Sequence, residues 1–225
     1  MKQALLSALG VVVVAATLGI YLWNGGGGQL SSARADDDGA RAVLRNAAGQ
    51  KVGTAKFAQE DDGVHVKVRI DAPLATLAAG FHGFHVHSND NPANGTGCLA
   101  DPTLAETTWF VSTDGHYKDA DPAHTHHGAH NGDLPVLLVN DNGAGRVTGE
   151  ARFVTDRFNV GDIVGRALIA HKLPDNYRNV PVGAGATQYQ PVTDNVADST
   201  TATGLTAATG NAGPRMACGA IEGSD

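Results

Sequence analysis

A stretch of alternating apolar and polar residues sets the strongest limit on the fold of this chain. The apolar positions between residues 64 and 71 are Val64, Val66, Val68 and Ile70, and the residues between them are polar. Successive side chains of a β-strand point to opposite faces, so this segment is predicted to be a strand with one buried and one solvated face. His65 falls on the solvated face, so we assign it no role. Strands of this kind are typical of antiparallel sheets.

The remaining pattern consists of short strands separated by tight turns. Further strands are predicted over residues 51–59, 134–140, 146–155 and 166–171. The turn sequences "DDG" and "DNGAG" contain Asp, Asn and Gly, which adopt the positive φ that tight reversals need. The chain has 29 glycines and neither a clear amphipathic helix nor a long internal repeat. We therefore predict an all-β fold, an antiparallel Greek-key sandwich or flattened barrel of immunoglobulin-like type.

Two long segments interrupt the strands, at residues 89–133 and 174–213. Loops of this length within a compact β domain are usually functional. We expect both to contribute to a site.

The N-terminal residues predict export. A short basic start is followed by an apolar run of about 20 residues, "ALLSALGVVVVAATLGIYLW". Residues 1–24 are therefore predicted to be a signal peptide or an uncleaved membrane anchor. The length of the run favours an anchor, whereas the small residues at positions 33–35 resemble a cleavage site.

The expected domain organisation follows from this N-terminal segment. Residues 25–40 are Gly-rich and polar and are predicted to be a flexible linker, and residues 41–225 form the folded domain. The expected location is the periplasm or the cell envelope, with membrane contact only through the N-terminal segment. Cys98 and Cys218 are the two cysteines. An exported chain with a single pair most simply forms one disulfide.

The charge of the chain excludes one class of partner. The formal net charge is −7, and no cluster of Lys and Arg is present. Neutralisation of phosphates requires such clusters, so we exclude nucleic acid as a partner. A small anionic substrate remains compatible with this composition.

The histidines indicate a metal centre. In the stretch "GFHGFHVH", His85 and His87 lie two residues apart and share one face of a strand. Nine of the ten histidines fall between residues 82 and 171, and five of them lie in residues 116–133. Imidazoles alone suit copper, and His with Asp suits zinc.

Six motifs in order resemble the copper,zinc superoxide dismutase family, in its exported bacterial branch. The motifs are "GFHGFHVH", "GTGC", "GHY", "HNGDLP", "ALIAH" and "GNAGPRMACGAI", and together they span most of residues 41–223. The resemblance implies bound copper and zinc, with superoxide anion as the substrate. It also implies a monomer or a homodimer.

The resemblance assigns roles to individual residues. Copper is expected on His85, His87, His171 and on His116, which would also bridge to zinc. His130 and Asp133 match two further zinc ligands. The remaining zinc ligand is either His124 or His127. His124 is slightly preferred, because its spacing from His116 requires only one deletion relative to the family in this short loop.

Three more residues match supporting positions of the family. Asp175 matches a carboxylate that hydrogen-bonds a copper ligand and a zinc ligand, and Arg215 matches the arginine beside copper. His82 matches a histidine that binds backbone, so it is not placed in the metal site. Cys98 and Cys218 fall within two of the matched motifs.

The resemblance implies an antioxidant oxidoreductase that dismutes superoxide to dioxygen and hydrogen peroxide, with His116 and Arg215 as its catalytic residues. Two alternatives remain open. One is a copper-only superoxide dismutase with a degenerate zinc site, and the other is a non-enzymatic copper-binding relative. Arg215 argues against a carrier, because a carrier needs no fixed cation beside copper.

Overall fold

The computed structural model of the chain describes residues 39–95, 97–124, 127–177 and 209–224. The N-terminal segment 1–24, most of the expected linker 25–40 and most of the second long loop lie outside these residues. Within the described residues no helix has the length and apolar character that a membrane span requires.

The described residues form nine strands and one short helix. The strands are β1 (Gly39–Asn46), β2 (Lys51–Glu60), β3 (Gly63–Pro73), β4 (Gly80–His82), β5 (Phe84–His87), β6 (Leu137–Asp141), β7 (Arg146–Thr155), β8 (Ala167–His171) and β9 (Arg215–Gly223), and the helix is α1 (Val160–Ile163). The all-β prediction is confirmed.

All nine described strands join one antiparallel sheet that nearly closes on itself. The order across the sheet is β4-β6-β7-β3-β2-β1-β9-β8-β5. The two outermost strands, β4 and β5, are separated along the chain by Gly83 alone. The segment "GFHGFHVH" therefore forms the seam of the barrel. The connections from β3 to β4 and from β7 to β8 pass over other strands, as in a Greek key.

Gly83 lets the chain cross this seam. A Cβ at this position would lie 2.5 Å from the Cβ of Ala212. The Gly83 carbonyl accepts a hydrogen bond from the His171 backbone N–H at 2.9 Å. The closure thus fixes the two histidines of β5 against β8.

The core lies inside the barrel. The residues of β3 alternate between buried and more accessible positions, and Val64, Val66, Val68 and Ile70 are each no more than 4% exposed. His65 is exposed and contacts Asp62. The alternation read from the sequence therefore locates the core face correctly.

Several element bounds differ from the sequence predictions. The strand β1 begins at Gly39, so the last two residues of the expected linker belong to the sheet. The strand expected from Leu134 begins only at Leu137, because Pro135 has no N–H to donate to a ladder. Neither β1 nor β9 was predicted as a strand.

A disulfide joins Cys98, in the first long loop, to Cys218 on β9. Cys218 packs with Phe110, Ala167 and Ile169 in a small apolar cluster next to the main core. The bond therefore fastens the first long loop to the sheet.

We expect the unreduced, denatured protein to contain no free thiol. The cysteines are separated by 120 residues. Closure of such a loop stabilises a fold by about 4 to 5 kcal/mol at most in the chain-entropy model. Thiol titration measures the free thiols, and urea unfolding with and without reductant measures the stabilisation by the disulfide. The stability of a variant with Cys98→Ser and Cys218→Ser should be the same with and without reductant. Two titratable thiols in the unreduced protein would contradict the assignment.

Candidate metal centre

Four buried histidines meet beside the barrel seam. The group consists of His85, His87, His116 and His171, and one ring nitrogen from each lies within 4.8 Å of the others. The strands β5 and β8 carry three of them and pair with each other. His116 comes from the first long loop, where it forms an isolated bridge with His87. The expected copper ligands are therefore brought together.

In each of the three histidines on β5 and β8, the ring nitrogen that points away from the group contacts an acceptor oxygen of the protein. The separations are 2.6 Å from His85 Nε2 to Asp175 Oδ2, 2.8 Å from His87 Nδ1 to the Asp114 carbonyl oxygen and 2.9 Å from His171 Nδ1 to the Gly213 carbonyl oxygen. These contacts fix the orientation of each ring and leave the other nitrogen facing the group.

The inward nitrogens lack ordinary partners. His85 Nδ1 and His116 Nε2 are buried without a hydrogen-bond partner. His87 Nε2 and His171 Nε2 lie 3.4 Å apart. Buried polar atoms are rarely left in this state unless a ligand occupies the space between them. The group has the donors that copper prefers.

Burial keeps these rings neutral. Desolvation lowers the pKa of His85, His87 and His116, and it lowers that of His171 to about 3. Neutral imidazoles have a free lone pair on one nitrogen at neutral pH. The rings can therefore bind a metal without first losing a proton.

A second group of donors lies on the other side of His116. His116 Nδ1 is 2.8 Å and His127 Nδ1 is 3.1 Å from Asp133 Oδ1. The two Nδ1 atoms are 3.2 Å apart. His130 Nδ1 is 3.5 Å from the same carboxylate oxygen and has no hydrogen-bond partner. The donor atoms of His116, His127 and Asp133 all lie within 4.8 Å of one another, and with His130 beside them they form a set that suits zinc.

By distance alone His85 also lies near this second group, because its ring centroid is 3.9 Å from that of His116. We assign it to the first group. Its Nε2 is engaged by Asp175, so only Nδ1 is available for a metal.

The carboxylates determine the charge of the second group. Burial opposes ionisation of Asp133, but the adjoining His116, His127 and His130 rings outweigh it and hold its pKa well below the usual range. Burial alone would lower the pKa of His127, but the adjoining Asp133 and Asp175 carboxylates raise it to about 9. Two carboxylates thus supply the negative charge that a divalent cation would neutralise.

The structure places the ring of His127, and not that of the slightly preferred His124, beside the second group. The ring of His124 lies outside both groups and contacts Asp119 Oδ1 through Nδ1 at 2.8 Å, with the side chain 34% exposed. His127 is 1% exposed and lies against Asp133. Spacing along the chain could not show this, because it does not give the distance of either ring from Asp133.

Asp175 links the two groups. Its carboxylate contacts His85 Nε2 at 2.6 Å and His127 Nε2 at 2.7 Å. A Cβ at Gly210 would overlap both the Asp175 carboxylate and the His127 ring. A glycine is therefore required beside this link, and the sequence did not single it out.

Arg215 is held beside the first group by backbone carbonyls. Its guanidinium donates to Phe110 O and Asp114 O at 2.6 Å each. Both acceptor residues have positive φ, 57° and 63°, which few residues other than glycine adopt. Burial lowers the pKa of Arg215 to about 10, so the group stays charged at neutral pH.

The Asp114 carbonyl has two roles, because it also accepts from His87 Nδ1. Sequence reasoning missed this residue. Its carboxylate accepts from the backbone of Asp90 and Asn91 and from the side chain of Asn94. No sequence motif marks a residue that acts through its carbonyl.

A cavity of about 510 Å³ opens on this side of the centre. It is lined by His171 and Arg215, and its rim includes Trp109 and an ion pair between Glu106 and Lys172 at 2.8 Å. A larger depression of about 760 Å³ lies across β2, β3 and β7, and no histidine lines it. Of these two depressions, only the smaller is lined by a residue of the first group, His171.

His82 lies outside both groups, as expected. Its ring nitrogens are 2.9 Å from the His171 carbonyl oxygen and 2.8 Å from that of Ala78. The ring therefore ties β4 to the end of β8.

The family model described as copper/zinc superoxide dismutase (SODC) matches residues 51–221. The copper-zinc superoxide dismutase of Deinococcus radiodurans is 31% identical over 154 residues, covering 64% of this chain and 76% of that protein. That of Mycolicibacterium paratuberculosis is 31% identical over 211 residues, covering 89% and 83%.

A solved structure of a copper-zinc superoxide dismutase is also similar to this chain. The Cu/Zn superoxide dismutase from Brucella abortus superposes with a TM-score of 0.53 and 25% identity, over 82% of this chain and 99% of that one. The match of the family model covers well over half of the chain, from β2 to β9. The chain therefore belongs to the copper/zinc superoxide dismutase family.

Proposed function

We propose that this protein dismutes superoxide, converting two superoxide anions and two protons to dioxygen and hydrogen peroxide. The observation that supports this most directly is the position of His116. Its Nε2 is buried without a partner on the side of the four-histidine group, and its Nδ1 is 2.8 Å from Asp133 in the second group. A ring shared between two donor sets can bridge two metal ions.

The proposed ligand sets follow from the atoms that face each group. Copper is assigned to His85 Nδ1, His87 Nε2, His116 Nε2 and His171 Nε2, and zinc to His116 Nδ1, His127 Nδ1, His130 Nδ1 and Asp133 Oδ1. Each set matches the preference of its metal for nitrogen donors or for nitrogen with one carboxylate. The orphaned nitrogens of His85, His116 and His130 support the fit.

The chemistry divides between the metal and the chain. Copper, when bound, supplies one-electron transfer to and from superoxide. His116 Nε2 would hold a proton only while copper is not bound to it, and it could then deliver that proton to peroxide. Asp133 keeps the ring in place through Nδ1. Arg215 provides a fixed positive charge at the cavity and attracts the anionic substrate.

The alternative functions are less well supported. A copper-only enzyme would not need the complete donor set of His116, His127, His130 and Asp133. A copper carrier would not need Arg215, whose charged group is held by two carbonyls at the open side.

We also propose that the protein is exported to the periplasm or cell envelope. The apolar N-terminal run and the disulfide support this, because disulfides persist in oxidising compartments. The length of the run favours retention as an anchor. A monomeric or homodimeric state stays a prediction from family resemblance.

Replacement His116→Ala should abolish most of the dismutase activity. The ring both completes the copper set and holds a proton, so we expect a loss of about 100-fold or more. Superoxide decay measured with the copper- and zinc-loaded protein tests this. His65→Ala, at an exposed position on β3, should retain activity. Full activity of His116→Ala would overturn the bridging role.

His127→Ala and His124→Ala should differ in zinc binding. Loss of the His127 ring should weaken zinc by about 10-fold or more and leave copper binding largely intact. His124→Ala should bind zinc normally, because its ring contacts only Asp119 among the described residues. Competition with a chelator measures the zinc affinity, and metal analysis measures the zinc and copper content. Zinc loss confined to His124→Ala would contradict the assignment, and a wild type that binds copper but no zinc would favour the copper-only alternative.

A further inference from the structure

The loop that carries two of the proposed zinc ligands is very short. Only Gly128 and Ala129 separate His127 from His130, and Gly128 has a φ of 87°. A segment this short has no secondary structure of its own to orient the two rings. Its stability must come from contacts with neighbouring parts of the chain.

The inner side of this segment faces a carboxylate. The backbone N–H groups of Gly128 and His130 donate to Asp133 Oδ2 at 2.7 Å and 3.1 Å. The other oxygen of the same carboxylate is the one near the histidine rings. Asp133 therefore orients the loop backbone as well as supplying a proposed ligand atom.

The outer side of the segment faces a guanidinium group. Arg157, two residues after the end of β7, donates from Nη1 to the His130 carbonyl at 2.9 Å and from Nη2 to the Gly128 carbonyl at 3.0 Å. Gly128 and His130 thus each have the N–H directed at a negative group and the C=O directed at a positive group. Because the N–H and the C=O of one residue belong to successive peptide groups, the carboxylate and the guanidinium fix the peptide groups on both sides of Gly128 and of His130.

A third contact fixes the backbone of Arg157 itself. Asn131 Nδ2 donates to the Arg157 carbonyl at 3.0 Å and to Asp119 Oδ2 at 3.1 Å. Asn131 Oδ1 accepts from the Asp119 backbone N–H at 2.9 Å. The guanidinium and its backbone are therefore both tied to the loop.

We infer that Arg157 is a positioning residue for zinc, which it does not touch. Its forked donors hold the Gly128 and His130 carbonyls, so the His127 and His130 rings are directed toward Asp133 before a metal arrives. This inference rests on the proposed zinc site. The guanidinium is suited to the task because two donors of one planar group reach two carbonyls at once.

The test compares Arg157→Met and Arg157→Lys with Arg152→Met in the full chain. Arg152 is an exposed arginine on β7 that pairs with Glu150 and contacts no part of the loop among the described residues. Zinc affinity is measured by chelator competition. The visible absorption of Co²⁺, bound in place of zinc, reports the tetrahedral geometry of the site. Copper affinity and the Tm of the metal-free protein are measured in parallel.

Arg157→Met should weaken zinc binding by about 10-fold and reduce the intensity of the Co²⁺ bands. Arg157→Lys should fall between Met and wild type, because an ammonium group can reach one carbonyl but not both in fixed geometry. Copper affinity and the Tm of the metal-free protein should match those of Arg152→Met. This pattern separates positioning from a general effect on stability.

Two results would overturn the inference. One is a zinc affinity and Co²⁺ spectrum of Arg157→Met that equal those of wild type. The other is a parallel fall in zinc affinity, copper affinity and metal-free Tm, which would show a general structural role. Absence of zinc binding by the wild type would instead refute the proposed zinc site, and this inference with it.

Discussion

Buried imidazoles packed against one another are stable only when each ring has one nitrogen held by the protein and the other facing a shared centre. This constraint determines the surroundings of the metal centre. Backbone carbonyls of Asp114 and Gly213 hold two rings, and the carboxylate of Asp175 holds two more. Because burial keeps the copper-side rings neutral, each has only one N–H to donate and one lone pair left to offer. The loops provide these acceptors, so the positions of the histidine rings constrain the loop backbone.

The barrel and the loops contribute differently to the centre. The strands β5 and β8 place three histidines rigidly, because both strands are hydrogen-bonded to each other at the seam. His116, His127, His130 and Asp133 come from a loop whose shape depends on side-chain contacts, among them those of Arg157. The four-histidine group is therefore preorganised by the sheet, whereas the second group is preorganised by charged and polar groups around a short backbone segment.

The sequence predicted the fold class, the core face of β3, the disulfide and the histidines that meet at the centre. The fold class and the core face appear in the sequence as hydrophobic periodicity. The disulfide and the histidine centre appear as cysteines and clustered histidines, which are residue types with few other uses. Spacing did not distinguish His124 from His127, because a count along the chain does not reveal where a loop turns. Asp114 and Arg157 were not singled out because they act on or through carbonyl oxygens, which every residue has. The strands β1 and β9 were missed because their short apolar runs lack a strong alternating signal.

The strand β9 lies between β1 and β8, although it is the last strand of the described chain. Until β9 is inserted, β1 and β8 each present an unpaired backbone edge, the kind of surface through which chains aggregate. Arg215 and Cys218 are both on β9, so the guanidinium beside the histidine group and the disulfide depend on the same pairing. Pairing of β1 with β9 joins residues close to opposite ends of the described chain, and contacts of such high sequence separation slow folding. Detachment of β9 would therefore open two sheet edges and remove the disulfide anchor and the guanidinium from the sheet in one step.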